Sequence, residues 1–150
     1  MLIAAATAAP NASDCNAAPA SATSCIAFDG GIAFTEVWED SWFGGEQLED
    51  LTVVCGSSCR VTVNREDDSY VIYDESGVRE LPSAARQLAV VSVFGSSGAD
   101  TVDITGLTGQ TFAHLGGGDD TLFANSCTAI TASRGDVVRC AQGVEQLSAR

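Results

Sequence analysis

A glycine–aspartate turn occurs twice in this chain at a fixed spacing, and it constrains the fold more than any other feature. The first copy covers residues 95–102 (Gly-Ser-Ser-Gly-Ala-Asp-Thr-Val) and the second covers residues 115–122 (Leu-Gly-Gly-Gly-Asp-Asp-Thr-Leu). Asp100 and Asp120 therefore lie 20 residues apart. A turn followed by a short apolar–polar strand, repeated at such a period, is typical of chains that wind into stacked coils.

Short runs of β-branched residues, separated by Gly, Asp, Asn and Ser, predict a nearly all-β chain. Strands are predicted at 26–28, 32–37, 51–54, 60–63, 70–73, 88–93, 101–104, 111–113, 121–123, 129–131, 136–138 and 144–147. Residues 81–88 have room for one helical turn. Residues 36–51 fit either a short cap helix or a further coil that turns at Gly44-Gly45.

The turns favour a parallel β-solenoid over an antiparallel sandwich. A hairpin dipeptide occurs early, at Asp29-Gly30. The later turns instead change the direction of the chain without reversing it. We predict one domain over residues 26–150, a parallel β-solenoid (β-helix) of about five short coils with disulfide-stapled ends. Residues 1–25 are predicted to be a disordered leader or the remnant of a signal segment. The inward-facing positions are predicted to be Val91, Val93, Val102, Ile104, Phe112, Leu122, Ile130 and Val137.

The two turns resemble the repeats-in-toxin (RTX) nonapeptide, and the wider pattern is similar to β-helix repeat domains of secreted and cell-surface proteins. The matching residues are Gly95, Gly98, Asp100 and Val102 in the first copy and Gly116, Gly118, Asp120 and Leu122 in the second. Ser96 and Leu115 occupy positions where the nonapeptide has Gly, and residues 134–138 form a degenerate third copy. The resemblance implies a scaffold or adhesive role more often than catalysis.

The same resemblance implies a calcium site. Stacked copies would place Asp100 above Asp120 with Asp119 beside them, and carboxylates so close repel one another unless a cation or water screens them. The alternative is that each aspartate accepts hydrogen bonds from the amides of its own turn. Both interpretations remain open at the level of sequence.

The charge of the chain argues against several classes of partner. The sequence has 20 acidic and 7 basic residues, a formal net charge of −13, and every basic residue is an arginine. Such a surface repels phosphate backbones and anionic membranes, so we expect no nucleic-acid partner. The acidic runs Glu36, Glu39 and Asp40 and residues 66–68 are predicted to be solvated surface. No apolar run is long enough to span a membrane, so we expect no membrane insertion.

Six cysteines form an even set and favour disulfides in an oxidising compartment. The simplest pairing joins sequence neighbours: Cys15 with Cys25, Cys55 with Cys59, and Cys127 with Cys140. A zinc site at Cys55 and Cys59 is disfavoured because no second close pair or nearby histidine completes it. We therefore expect an extracellular or cell-surface location.

Two further motifs bear on function. Arg134-Gly135-Asp136 spells an adhesion tripeptide, although its aspartate also has a predicted turn role. His114, the single histidine, has no nucleophile-elbow motif to support Ser-His-Asp chemistry. We predict a non-catalytic structural or binding module, a fragment of a larger repeat protein, whose partners are neighbouring domains or other extracellular molecules. The alternatives are a calcium-dependent RTX-like module and a carbohydrate-active β-helix enzyme.

Overall fold

The computed structural model describes residues 14–40 and 46–149, and within them the protein is built almost entirely of strands. A single-turn 3₁₀ helix covers Cys15–Ala17. The prediction of an all-β chain is confirmed. The strands are β1 (Ser24–Phe28), β2 (Gly31–Asp40), β3 (Glu46–Cys55), β4 (Arg60–Glu66), β5 (Ser69–Asp74), β6 (Gly77–Pro82), β7 (Gln87–Phe94), β8 (Thr101–Ile104), β9 (Gln110–His114), β10 (Thr121–Ala132) and β11 (Val137–Ala149).

All 11 strands belong to one nearly closed, barrel-like sheet of mixed strand direction. The hydrogen-bonded order is β1-β2-β3-β7-β9-β10-β8-β4-β5-β6, and β11 pairs with β10. The first and last strands of this order approach each other, since the Ser24 hydroxyl donates to the Pro82 carbonyl at 3.2 Å.

The strands that follow the glycine–aspartate turns pair in parallel with their neighbours in the sheet. On one side of the sheet β3, β7, β9 and the second half of β10 are parallel neighbours. On the other side β4, β8 and the first half of β10 are parallel neighbours, and β11 follows β10 along both halves. Thr101 pairs with Thr121, so the register predicted for the two Asp-Thr copies is confirmed.

Antiparallel hairpins complete the sheet, and the sequence analysis missed most of them. Asp29-Gly30 connects β1 to β2, and Gly30 has a φ of 94°, as such a turn requires. The β4–β5–β6 hairpins are also antiparallel, and Asp67 in the first of their turns has a φ of 53°. The hairpin dipeptides of the sequence do not reveal these later turns.

Two local predictions are wrong. Residues 36–40 and 46–51 lie in β2 and β3, which run antiparallel, so this stretch is neither a cap helix nor a parallel coil. The Gly44-Gly45 turn proposed for that coil lies outside the described residues. The helical turn predicted within 81–88 is absent, because β6 ends at Pro82 and β7 begins at Gln87.

The main core lies between the two parallel sets of strands. Val91, Val93, Val102, Ile104, Leu122 and Ile130 are all buried there, as predicted. Phe112 and Val137 were predicted to face inward, and both predictions are wrong. Thr111 and Ala113 are the inward residues of β9, which leaves Phe112 half-buried on the outer face. Val138 pairs with Leu122 and packs on the core, so Val137 is exposed.

A second, smaller apolar cluster lies on the outer face of β2 and β3. It contains Ile32, Phe34 and Val54, and Ala17, Ala18 and Ala22 from the segment before β1 pack against it. A disulfide between Cys15 and Cys25 holds this segment in place. The rest of the predicted leader, residues 1–13, lies outside the described residues.

A buried polar network fastens the β4–β5–β6 hairpins to β3. The Glu49 carboxylate accepts hydrogen bonds from the Tyr70 hydroxyl at 2.6 Å, the Ser83 hydroxyl at 2.8 Å and the Ala84 amide at 2.8 Å. Arg65 donates to the Tyr70 hydroxyl at 3.1 Å. Burial raises the pKa of Tyr70, so its hydroxyl remains a donor to Glu49.

Candidate functional site

Four turns stack at one edge of the parallel strands, and we call them corners. The Cys59 corner comprises residues 55–59, the Asp100 corner residues 95–100, the Asp120 corner residues 115–120, and the Asp136 corner residues 133–136. Each corner leads directly into one of the parallel strands β4, β8, β10 and β11. The predicted metal residues and the adhesion tripeptide all lie in these corners.

Glycine is required where successive corners touch. Gly118 has a φ of 83°, and a Cβ at this position would lie 2.6 Å from the Gly98 carbonyl of the preceding corner. Both the backbone conformation and the close approach exclude a side chain. The equivalent Gly98 approaches the Cys59 corner in its turn, because a Cβ on Gly98 would lie 2.2 Å from the Ser58 hydroxyl oxygen.

The corner aspartates form a ladder of hydrogen bonds from one corner to the next. The Cys59 amide donates to Asp100 Oδ1 at 3.0 Å, and the Asp100 amide donates to Asp120 Oδ1 at 2.9 Å. The Asp120 amide donates to Asp136 Oδ1 at 2.9 Å. Each carboxylate thus satisfies a buried or part-buried backbone amide of the preceding corner. We call this arrangement the aspartate ladder.

The second carboxylate oxygen distinguishes the three aspartates. Asp100 Oδ2 accepts the Ser96 amide at 2.7 Å, and Asp136 Oδ2 accepts the Ser133 amide at 2.6 Å. Asp120 Oδ2 is buried and has no hydrogen-bond partner. The sequence prediction that each aspartate serves its own turn therefore describes Asp100 and Asp136 better than Asp120.

Asp120 is the electrostatically unusual member of the ladder. Its side chain is buried, with 1% of its surface exposed. Burial raises the pKa of Asp120 to about 6, and the negative charges of Asp100 and Asp136 act in the same direction. The hydrogen bond from the Asp100 amide lowers the pKa but does not offset these effects.

The structure brings together two of the three predicted metal residues. Asp100 and Asp120 are neighbours in the ladder, whereas Asp119 lies on the exposed side of its corner, where its Oδ1 faces Gly135. Asp136 takes the third position of the ladder, which the sequence analysis assigned to a degenerate copy. Its equivalence is readable from the apolar residue two positions later, since Val138 matches Val102 after Asp100 and Leu122 after Asp120.

Ser96 holds the Asp100 carboxylate, a role that the sequence does not indicate. It replaces the second glycine of the nonapeptide and was treated as a mismatch. In the structure its amide and hydroxyl both donate to the Asp100 carboxylate, the hydroxyl at 2.9 Å to Oδ1. The Asp120 corner has Gly116 at this position and lacks the hydroxyl, which fits the unpartnered oxygen of Asp120.

All three predicted disulfides are present: Cys15–Cys25, Cys55–Cys59 and Cys127–Cys140. The sulfurs of Cys55 and Cys59 lie within 4.8 Å of an Asp100 carboxylate oxygen, but sulfurs in a disulfide are not thiolate ligands. Three disulfides indicate that the protein resides outside the reducing cytoplasm. Within the described residues, no helix is both long and apolar enough to cross a membrane.

The adhesion tripeptide lies in the Asp136 corner. Arg134 and Gly135 are exposed, and Gly135 has a φ of 99°. Both oxygens of Asp136 already accept backbone amides.

His114 is half-buried and lies with Phe94 and Phe112 in a shallow groove on the outer face.

Comparison with known proteins gives no relative: no family model, no curated protein and no solved structure matches this chain.

Proposed function

We propose that this chain is a non-catalytic structural or binding module of the extracellular space, wound as a parallel β-solenoid. Two stacks of parallel strands support this architecture, and β10 and β11 contribute one half to each stack. In this description one coil consists of a strand from each stack, joined by a corner. The three disulfides and the net charge of −13 suit a secreted protein that does not bind nucleic acid.

The observation that carries this proposal is the aspartate ladder. Its carboxylates are the most distinctive acidic groups of the sequence, and five of their six oxygens accept backbone or side-chain hydrogen bonds within the corners. Groups used in this way position the coils on one another. They are not arranged as an acid and a base around a substrate, which supports a structural role over a catalytic one.

The two ends of the parallel stacks differ, and this favours a binding role at one end. At one end the antiparallel strands β1, β2, β5 and β6 cover the stacks. At the other end β11 pairs with β10 alone among the described strands. An edge strand with free amides and carbonyls is a template for adding another strand.

The chain around the start of β11 carries few acidic residues. Within residues 133–142, the two arginines Arg134 and Arg139 outnumber the single acidic residue, Asp136. A strand from a second copy would therefore meet less repulsion here than beside the acidic run at residues 66–68. We propose that β11 accepts a strand from a neighbouring molecule.

A proline at the open edge tests this binding role. The Val137 amide donates to the Asp120 carbonyl at 2.8 Å, and successive residues of a parallel strand face alternate neighbours, so the Gln142 amide faces the open edge. Gln142→Pro removes that donor and leaves the bonds to β10, and Gln142→Ala is the matched control. Sedimentation should show self-association for the wild type and the alanine variant only. A wild type that stays monomeric at high concentration would refute the open-edge role.

A specific observation favours a second candidate, a calcium-dependent module. Asp120 Oδ2 is buried without a partner, between the charges of Asp100 and Asp136, and an unpaired buried carboxylate is costly unless a proton or cation neutralises it. Asp119 would supply a further carboxylate at the exposed side. Calcium accepts such oxygen ligands flexibly.

Thermal melting tests the calcium-dependent candidate. The melting temperature of the wild type should rise in calcium relative to chelator, and Asp120→Asn should make this rise smaller. Equal melting temperatures in calcium and chelator would exclude this candidate, and they would leave the scaffold proposal intact.

A further inference from the structure

A second pair of buried carboxylates lies far from the corners, on the outer face of the sheet. Glu36 of β2 pairs with Asp50 of β3 in antiparallel register, on the face that carries Phe34 and Ile32. Glu36 is 8% exposed and Asp50 is 7% exposed. The prediction that the run Glu36, Glu39 and Asp40 is solvated surface is therefore wrong for Glu36, because the segment before β1 covers it.

The hydrogen bonds of this pair leave one carboxylate oxygen without a partner. The Trp38 indole donates to Asp50 Oδ1 at 3.0 Å, and the Ser21 hydroxyl donates to Glu36 Oε2. Glu36 Oε1 is buried and accepts no hydrogen bond. Neither carboxylate forms an ion pair with an arginine of the described chain.

Two acidic side chains directly opposite each other destabilise an antiparallel pair, and burial increases the cost. Both carboxylates are buried, and they occupy directly opposite positions of β2 and β3. The two groups therefore interact electrostatically while only neutral donors compensate them. A pair of this kind persists in a folded protein when a proton or a cation neutralises it.

We propose that Glu36 and Asp50, with the Ser21 hydroxyl, bind a divalent cation of the calcium class. The available donors are carboxylate and hydroxyl oxygens, which are the ligands of hard cations, and no imidazole or thiolate contributes. Calcium fits better than magnesium because it tolerates an irregular ligand set completed by water. This site is separate from the corners and does not depend on the function proposed for them.

The cation would join the segment before β1 to the sheet. Ser21 lies in the turn between Pro19 and Ala22, and that turn carries Ala22 onto the apolar cluster of Ile32 and Phe34. A cation held by Ser21, Glu36 and Asp50 therefore bridges this segment and two strands. Its removal should loosen the segment that the Cys15–Cys25 disulfide encloses, without opening the core.

Terbium luminescence tests the site directly, because Tb³⁺ replaces calcium and is excited by energy transfer from a nearby tryptophan. With the full chain, tryptophan excitation should give terbium emission that calcium competes away. Glu36→Gln and Asp50→Asn should each reduce the emission to background, whereas Asp120→Asn in the corner should leave it unchanged. Trp38→Phe should weaken the emission, which Trp42 can also excite, but keep the rise in melting temperature on calcium addition.

The outcomes separate this site from the alternatives. Circular dichroism establishes that the Gln and Asn variants are folded, and the isosteric amides relieve repulsion, so folding is expected. Emission that survives both Glu36→Gln and Asp50→Asn, or that is lost only in Asp120→Asn, would overturn the proposal. Wild-type protein with no terbium emission and no stabilisation by calcium would also overturn it and would indicate that the carboxyl pair shares a proton.

Discussion

At the scale of single residues, the corner aspartates show how one side chain can serve two turns. One oxygen of Asp136 holds its own corner through Ser133, and the other holds the preceding corner through the Asp120 amide. The sequence indicated that aspartates would stabilise these turns. It could not indicate the bond between corners, because that bond depends on the register in which Thr121 meets Val137.

Removing the last carboxylate of the ladder should be costly. Asp136→Ala leaves the amides of Asp120 and Ser133 without acceptors, and we expect a loss of about 2–3 kcal/mol in the free energy of unfolding. Asp119→Ala removes a neighbouring carboxylate that is exposed, and it should change stability by less than about 0.5 kcal/mol. Urea denaturation of both variants measures the difference. Equal stabilities would show that the ladder contributes nothing.

The raised pKa of Asp120 predicts a pH dependence of known sign. The folded-state pKa is about 6, above the ordinary value of 3.8, so the folded protein binds this proton more tightly than the unfolded chain does. The contribution of Asp120 to stability is therefore greatest at low pH and is lost as the pH rises from about 4 to about 6.

Asp120→Asn should remove this dependence. In chelator, the stability of the variant relative to the wild type should increase between about pH 4 and pH 7, by about 1–3 kcal/mol. Denaturation curves across this range provide the measurement. A difference that stays constant with pH would mean that Asp120 titrates normally.

At the scale of elements, the alternation of apolar and polar residues and the turn residues between the runs located most strands. They did not indicate all of the strand pairings. The runs of β-branched residues predicted as strands all lie within strands, apart from Asp136, which precedes β11. The runs at 121–123 and 129–131 both belong to β10, those at 136–138 and 144–147 both belong to β11, and β6 was not predicted. The inward faces of β9 and β11 were assigned one residue out of place. In β9, Phe112 is more apolar than the inward residue Thr111, and in β11 Val137 is as apolar as the inward residue Val138. Hydrophobicity alone therefore pointed to the wrong face.

The missed hairpins have a similar cause. The β4–β5 turn uses Asp67 at positive φ, a conformation that the sequence signals less clearly than a glycine does. The polar network around Glu49, which fastens these hairpins, joins residues up to 35 positions apart. A network of that kind is invisible until the sheet order is known.

Gly118 provides a prediction at this scale. Gly118→Ala adds a methyl group 2.6 Å from the Gly98 carbonyl carbon at a φ of 83°, and we expect a loss of about 3 kcal/mol or more. Gly77→Ala, also at positive φ but with open space around it, should cost about 1 kcal/mol. Thermal denaturation compares the two. A similar cost in both would mean that the corners are not in close contact.

At the scale of the whole molecule, one core between the parallel stacks holds the fold together. Val61, Val102, Leu122 and Val138 follow one another through the paired strands β4, β8, β10 and β11. Six of the eight predicted inward positions lie in this core, because their strands alternate regularly. Composition and spacing therefore located most of the core, whereas the covering of Glu36 and the closure of the sheet required three-dimensional contacts.

A charge among the stacked core side chains of β4, β8, β10 and β11 should unfold the protein. Val102→Asp places a carboxylate where 1% of the side chain is exposed, at a cost of about 4 kcal/mol or more. Val78→Asp, on the exposed strand β6, is the control and should fold normally. Circular dichroism and proteolysis distinguish the two. A folded Val102→Asp variant would contradict the pairing of β8 between β4 and β10.

The direction of the aspartate ladder has a consequence for how the chain acquires its structure. The amides of Cys59, Asp100 and Asp120 each donate a hydrogen bond to a carboxylate that comes later in the chain. The Asp136 amide donates instead to the Ser133 carbonyl of its own turn. Each corner of the ladder thus depends on the corner that follows it in the sequence. During synthesis each of these turns therefore stays incomplete until the next one has emerged, and the whole edge is complete only once Asp136 is in place.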